Sequence, residues 1–244
     1  MVAMDAWQLM ISEAARFGLA LDSDTVEKLK RYYALLIEGN QKTNLTRIVD
    51  EREAVIKHFL DSLTALTAVP RELWDAPLRF IDVGAGGGFP GIPLMIVRPN
   101  WRGTLLEATG KKVAFLSESI QALGLNGEAL HGRAEEVARD PAHRDRYDLA
   151  FARAVAEMSA LSELCLPFVK VGGRFVAMKG STGEAELAKA QKAIRLLGGG
   201  DVTATALELP EGMGERRVFA VAKLSATPKA YPRRTGMPTQ KPLG

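Results

Sequence analysis

Apolar positions in the first 75 residues recur at helical spacing. Trp7, Met10, Ile11, Ala14 and Phe17 mark one face of a segment spanning 4–17, and Val26, Leu29, Tyr32, Tyr33 and Leu36 mark another over 24–38. A third helix is predicted over 51–67 from Val55, Phe59, Leu63 and Leu66. Asp22, Ser23 or Asp24 suits the cap of the second helix and Asp50 that of the third. Beyond Pro77 the rhythm changes: the short apolar runs LRFIDVGA, GTLLEA, GEALHG, YDLAFA and GGRFVAMKG read as strands. Helical stretches near 91–98, 111–124, 155–169 and 184–197 are interleaved with them. Such alternation predicts a doubly wound parallel sheet covered on both faces. The last two runs, VTATALELP and RRVFAVAKL, are separated only by EGMGE and predict an antiparallel hairpin at the sheet edge.

Three units follow from this pattern: a helical extension over 1–75, an α/β domain over 76–227 and a basic tail over 228–244. The chain has 244 residues and a net charge of only +3, so the distribution of charge matters more than its sum. The first 75 residues hold 9 Lys/Arg against 12 Asp/Glu, whereas the last 17 hold 4 against none. With its prolines and glycines, that tail reads by composition as a solvated, disordered end, and alternatively as a basic arm for phosphates. The single cysteine, Cys165, permits no intrachain disulfide, fits a reducing cytoplasm and lies in an apolar run that predicts core packing. No segment has the unbroken apolar length of a membrane span.

The chemistry concentrates in FIDVGAGGGFPG, residues 80–91. A nucleoside triphosphate loop needs lysine and a hydroxyl after its last glycine, and here Ile92 and Pro93 follow Gly91. A dinucleotide fingerprint is formally met by Gly86, Gly88 and Gly91, with Glu107 one strand later. S-adenosylmethionine, which has no phosphate and carries cationic groups, is the better match. Gly84, Gly86 and Gly88 start directly off the strand, and Asp82 would oppose a pyrophosphate yet attract an amino group. Glu107 can accept from ribose hydroxyls of either ligand. An antiparallel end to a parallel sheet is also the habitual shape of methyltransferases using this cofactor. The residues favour that class, with RNA, protein or a small molecule as its acceptor, while an NAD-dependent oxidoreductase and a non-catalytic RNA-binding module stay open.

DVGAGGGFPGIPL, LLEATGKKVAFL, HGRAEEVA, FARAVAEM and AMKG, preceded by NLTRI and HFLDSL and followed by YPRRTGMPTQKPL, resemble the RsmG (GidB) family of bacterial ribosomal RNA methyltransferases. The correspondence runs from about Asn40 to Lys223 and includes the tail. It implies a class I (Rossmann-like) methyltransferase sheet preceded by helices. It also implies S-adenosylmethionine as cofactor and N7 methylation of one guanosine near the decoding centre of 16S rRNA. The expected partner is that RNA or the precursor small subunit, and a monomer is expected. Carried over by position, Gly84 and Phe89 line the cofactor pocket, Ala134 and Glu135 contact its adenine side, and Arg153 enters from the fourth strand. Glu107 stands where many members have aspartate, and Gly39 where a tryptophan is usual.

Other readings stand beside these. Glu135 and Glu136 suit the first turn of a short helix through the macrodipole alone. Arg153 also suits a surface ion pair, and Lys179, Arg233 and Arg234 are candidates for RNA phosphate or for plain solvation. His58 and Asp61 share a helix face, but no zinc set assembles around them, and a helix surface or an interdomain hydrogen bond is expected there. Guanine N7 carries an exposed lone pair, so the implied reaction needs orientation and no general base.

Overall fold

Five parallel strands and one antiparallel hairpin build the sheet in this computed structural model, which describes residues 4–244. β1 (Arg79–Val83), β2 (Arg102–Glu107), β3 (Gly127–His131), β4 (Tyr147–Arg153) and β5 (Val169–Lys179) are followed by β6 (Gly199–Glu208) and β7 (Glu215–Lys223). The order is β3-β2-β1-β4-β5-β7-β6, with β7 inserted antiparallel between β5 and β6. The predicted terminal hairpin is thus present and joins the sheet through its second strand.

Alternation along each strand sends side chains to two cores. On one face Phe80, Leu105, Phe151 and Val176 pack with helices α1 (Ala6–Arg16), α2 (Ser23–Lys42), α5 (Gly91–Val97) and α6 (Gly110–Leu123). On the other, Ile81, Leu106, Ala150 and Phe175 pack with α8 (Met158–Cys165) and α9 (Gly183–Leu196), where Cys165 is fully buried. The N-terminal helices therefore complete one layer of the sheet's own core. Asp22 caps α2 by accepting from Thr25 N–H at 2.8 Å, and Asp50 caps α3 (Glu51–Ala54) from Glu53 N–H at 2.8 Å.

Two expectations are corrected. The segment predicted as one helix over 51–67 contains a π turn, Val55–Leu60, between α3 and α4 (Asp61–Thr64) and ends in a 3₁₀ turn, Ala65–Ala68. The extra residue in the π turn advances later side chains by about 100° around the axis. Apolar spacing alone does not reveal such an insertion, because Phe59 within it and Leu63 beyond it are both buried. The tail is also not a disordered end. It lies against the domain, buries Pro232 and Pro238, and forms the short helix α10 (Met237–Gln240). Composition misled here because the partners that fasten it, Arg139, Arg144 and Glu163, are far away in sequence.

Candidate active site

The carboxyl ends of β1, β2, β4 and β5 open onto one rim, where Gly84, Ala108, Ala154 and Gly180 are exposed. Open parallel sheets bind ligands along such a rim. At its centre the glycine turn leaves β1 and folds tightly under itself. Gly84 and Ala85 N–H donate to Leu106 O at 2.9 and 3.0 Å, and Gly88 N–H donates to Ala85 O at 2.7 Å. Gly86 N–H donates to the Glu107 carboxylate at 3.0 Å. Gly86 holds φ +57°, and a Cβ there would meet nothing nearer than Gly84 O at 3.9 Å, so this position faces open space. Gly91 is required for the opposite reason: a Cβ would strike Leu105 and come within 2.8 Å of Asp82 Oδ2.

Asp82 is wholly buried beneath the turn. Its Oδ2 accepts from Gly91 N–H at 2.8 Å, while Oδ1 has no partner among the described residues. Burial pushes the carboxyl up to about 7 against the opposing Gly91 hydrogen bond and Arg153 charge. This arrangement decides against a pyrophosphate. The helix end that would receive it is occupied by a carboxylate, and the N–H groups of Gly84, Ala85, Gly86 and Gly88 are donated within the protein.

Glu107 ends β2 only 7% exposed, with Oε2 on Gly86 N–H and Oε1 on Thr109 N–H at 2.8 Å. Each oxygen keeps a lone pair for a hydroxyl at the rim. Beyond it, β3 places His131 opposite Glu107, and Gly132 N–H donates to Glu107 O at 3.1 Å. The chain then forms the four-residue helix α7 (Ala134–Val137), with Ala134 and Glu135 buried at its start. Space open at Gly86, a carboxylate with free lone pairs at Glu107 and a buried wall at α7 are compatible with S-adenosylmethionine, which is phosphate-free and carries a ribose and an adenine.

The glycine turn is supported from the N-terminal layer. Tyr32, fully buried in α2, donates its hydroxyl to Gly87 O. Phe89 packs edgewise on Phe59 at 5.4 Å and stacks on His58 at 4.8 Å, while the Arg153 guanidinium lies 5.2 Å from its centroid. The π turn sets this up, since Lys57 O accepts from Arg153 Nη1 at 3.1 Å and Asp61 turns inward. Asp61 Oδ2 accepts from Arg153 at 3.1 Å and Oδ1 from Arg216 Nε at 2.8 Å. The HFLDSL motif thus joins the N-terminal helices to β4 and β7, as an interdomain hydrogen bond. His58 contacts Thr46 Oγ1 at 2.6 Å, and its imidazole is held down to about 4, first by burial and then by the Arg153 charge.

These residues border a cleft of about 450 Å³ beside Lys57, His58, Asp61, Arg153, Lys179 and Arg216. Lys179 is directed inward, donating to Ala156 O and pairing with Glu186 at 2.7 Å. Arg233 does not line this cleft and is bound to Glu163, whereas Arg234 beside it is exposed. Sequence reasoning missed Tyr32, Arg216 and Glu163. Tyr32 reads as an ordinary core position. A charge inside the apolar run LSELCLPF was the one available sign of Glu163, which the structure buries completely.

A phosphate-excluding glycine turn on a parallel sheet with an antiparallel strand inserted beside its edge defines the class: an S-adenosylmethionine-dependent methyltransferase. Solved structures agree on the fold. An O-methyltransferase from Bacillus cereus in complex with SAH matches with a TM-score of 0.56 at 17% identity, covering 89% of this chain and 98% of that one. A SAM-dependent O-methyltransferase from Thermotoga maritima matches at 0.51 and 17%, covering 78% and 72%. Sequence narrows the class further. Residues 25–214 match the GidB family model, described as rRNA small subunit methyltransferase G. Proteins named ribosomal RNA small subunit methyltransferase G from Pelotomaculum thermopropionicum and Lactobacillus johnsonii are 47% and 43% identical to it. The matches cover 96% and 97% of this chain and 97% and 99% of those proteins. The chain belongs to the rRNA small subunit methyltransferase G family.

Proposed function

We propose that this enzyme methylates N7 of one guanosine of 16S rRNA near the decoding centre, acting as a cytoplasmic monomer on the RNA or the precursor small subunit. The observation that carries this reading is the match over nearly the whole chain to relatives named for small-subunit rRNA methylation. S-adenosylmethionine supplies the methyl group on a positively charged sulfur. In the chain itself, Gly84 and Gly86 form the floor, Glu107 accepts from the ribose, and Ala134 and Glu135 wall the adenine. Phe89 and Arg153 form the boundary with the charged cleft, which receives the guanine. N7 attacks with its own lone pair, and the ionisable groups of the cleft suit that chemistry. Asp61 is held by two arginines, Glu186 by Lys179, and His58 is neutral at pH 7. Their part is to fix orientation, which can contribute several kcal/mol. N7 lies in the RNA major groove, too narrow for side chains, so the target is an opened or looped nucleotide. Exposed Arg234 serves the RNA backbone together with Lys179 and Arg233, the latter two through whatever donors their internal pairs leave over.

The test is transfer of labelled methyl to small subunits from a strain lacking the modification, with nucleoside digestion of the product. Labelled 7-methylguanosine at a single site is expected; label on another base, on protein or on nothing rejects the reading. Gly86→Val should abolish cofactor binding in calorimetry, and retained affinity would remove the glycine turn from the site.

A further inference from the structure

The tail after β7 is fastened to the domain at two anchors. Arg144 donates to Thr227 O at 2.7 Å and Tyr231 O at 2.9 Å, and Arg139 donates to Pro232 O at 2.5 Å. Arg233 then grips Glu163, a carboxylate with no solvent exposure, through its backbone N–H at 2.6 Å and its guanidinium at 2.7 Å. Past these anchors the chain meets the first turn of α7. Thr235 Oγ1 donates to Glu136 at 3.0 Å, and Gly236 N–H donates to Glu135 Oε1 at 2.8 Å. Glu135 is only 7% exposed, and this tail amide is its one side-chain hydrogen bond among the described residues.

A helix of four residues has almost no stability of its own, so contacts decide where it sits. α7 lacks a side-chain cap and begins two residues after Gly132, which is bonded to the main chain of Glu107. The buried carboxylate at its start must be satisfied, and the tail is what satisfies it. We propose that residues 232–236 act as a strap that fixes Ala134 and Glu135 and thereby sets the affinity for S-adenosylmethionine, with Arg233 as its positioning residue. This rests on the reading that α7 walls the adenine side. The strap ties a C-terminal segment to a site built otherwise from strand ends, so the enzyme is fully competent only with its tail docked.

Calorimetry with S-adenosylhomocysteine and steady-state kinetics on the full chain test this. Arg233→Ala should weaken binding by about tenfold and raise the KM for S-adenosylmethionine. Arg233→Lys should restore part of the loss, because lysine keeps the charge without the fork. Amide exchange at residues 134–137 should accelerate in Arg233→Ala. Arg52→Ala, which breaks the remote pair with Glu211, should bind like the parent. A folded Arg233→Ala with unchanged affinity overturns the strap. If that variant does not fold, Thr235→Val combined with Gly236→Ala replaces it: about threefold weakening supports the strap and parental affinity overturns it. Glu107→Ala separates the two readings. Parental binding there rejects the pocket itself, whereas weak binding there beside normal binding in Arg233→Ala rejects only the strap.

Discussion

The crevice at the carboxyl ends of the strands is supported from two sides by different physics. On the N-terminal side, aromatic rings press on the glycine turn: Phe59 is fully buried among Trp7, Tyr32, Tyr33 and Phe89. On the C-terminal side fewer apolar groups take part, among them Pro232, Pro238 and Tyr231, and arginines hold carbonyls and one buried carboxylate. Packing of the first kind is shared by the whole core and fails only when the core fails. Polar fastening of the second kind is local, and its segment can open while the sheet stays folded.

The largest effect is expected where the packing is removed. Phe59→Ala should cost about 3–5 kcal/mol in denaturant unfolding and should lower the midpoint of the whole domain in one transition. A separate early transition of the N-terminal helices would show that this layer is not part of the sheet's core. Arg144→Ala strips the donor from the tail carbonyls and should cost about 1–3 kcal/mol. Limited trypsin digestion should then cleave at Arg233 or Arg234 before the domain unfolds. Resistance equal to the parent would mean that the tail is held by something else.

Titration distinguishes the N-terminal layer from the floor of the glycine turn. His58 is depressed from 6.5 to about 4, so its contribution to stability is complete above pH 6.5 and is lost as the pH falls towards 4. Asp82 is raised from 3.8 to about 7, so its contribution is complete below 3.8 and is lost as the pH rises through 7. His58→Gln should flatten the acid limb of stability, and Asp82→Asn should remove the decline towards neutrality, both measured by urea unfolding across pH 4–8. Parallel curves for variant and parent would contradict the burial of these groups. The smallest effect belongs to Arg52→Ala, whose pair with Glu211 is well exposed and screened by solvent. No resolvable change in melting is expected, and a clear drop would show that the hairpin tip is tied to α3 more tightly than its exposure implies.

Much of this was legible in the chain. The spacing of Val26, Leu29 and Leu36 carries α2, and VTATALELP with RRVFAVAKL carries the hairpin. Asp82, five glycines and no lysine after Gly91 were enough to point away from phosphate, and the structure supplied the reason in the Gly91 hydrogen bond. What escaped has a common cause. The π turn leaves apolar periodicity almost intact, and Arg216 looks like any charge at the start of a strand until Asp61 is placed beside it.

By itself the sequence determined the order of strands and helices, the glycine turn and the carboxylate one strand later. Each depends on residues within a few positions of one another, through side-chain period or backbone turn chemistry. Tertiary structure decided what Asp61, Glu135 and Glu163 do. Their partners stand 92 and 155 residues away for Asp61, 101 for Glu135 and 70 for Glu163. A buried carboxylate must find donors wherever the fold brings them, and no local pattern records where that will be.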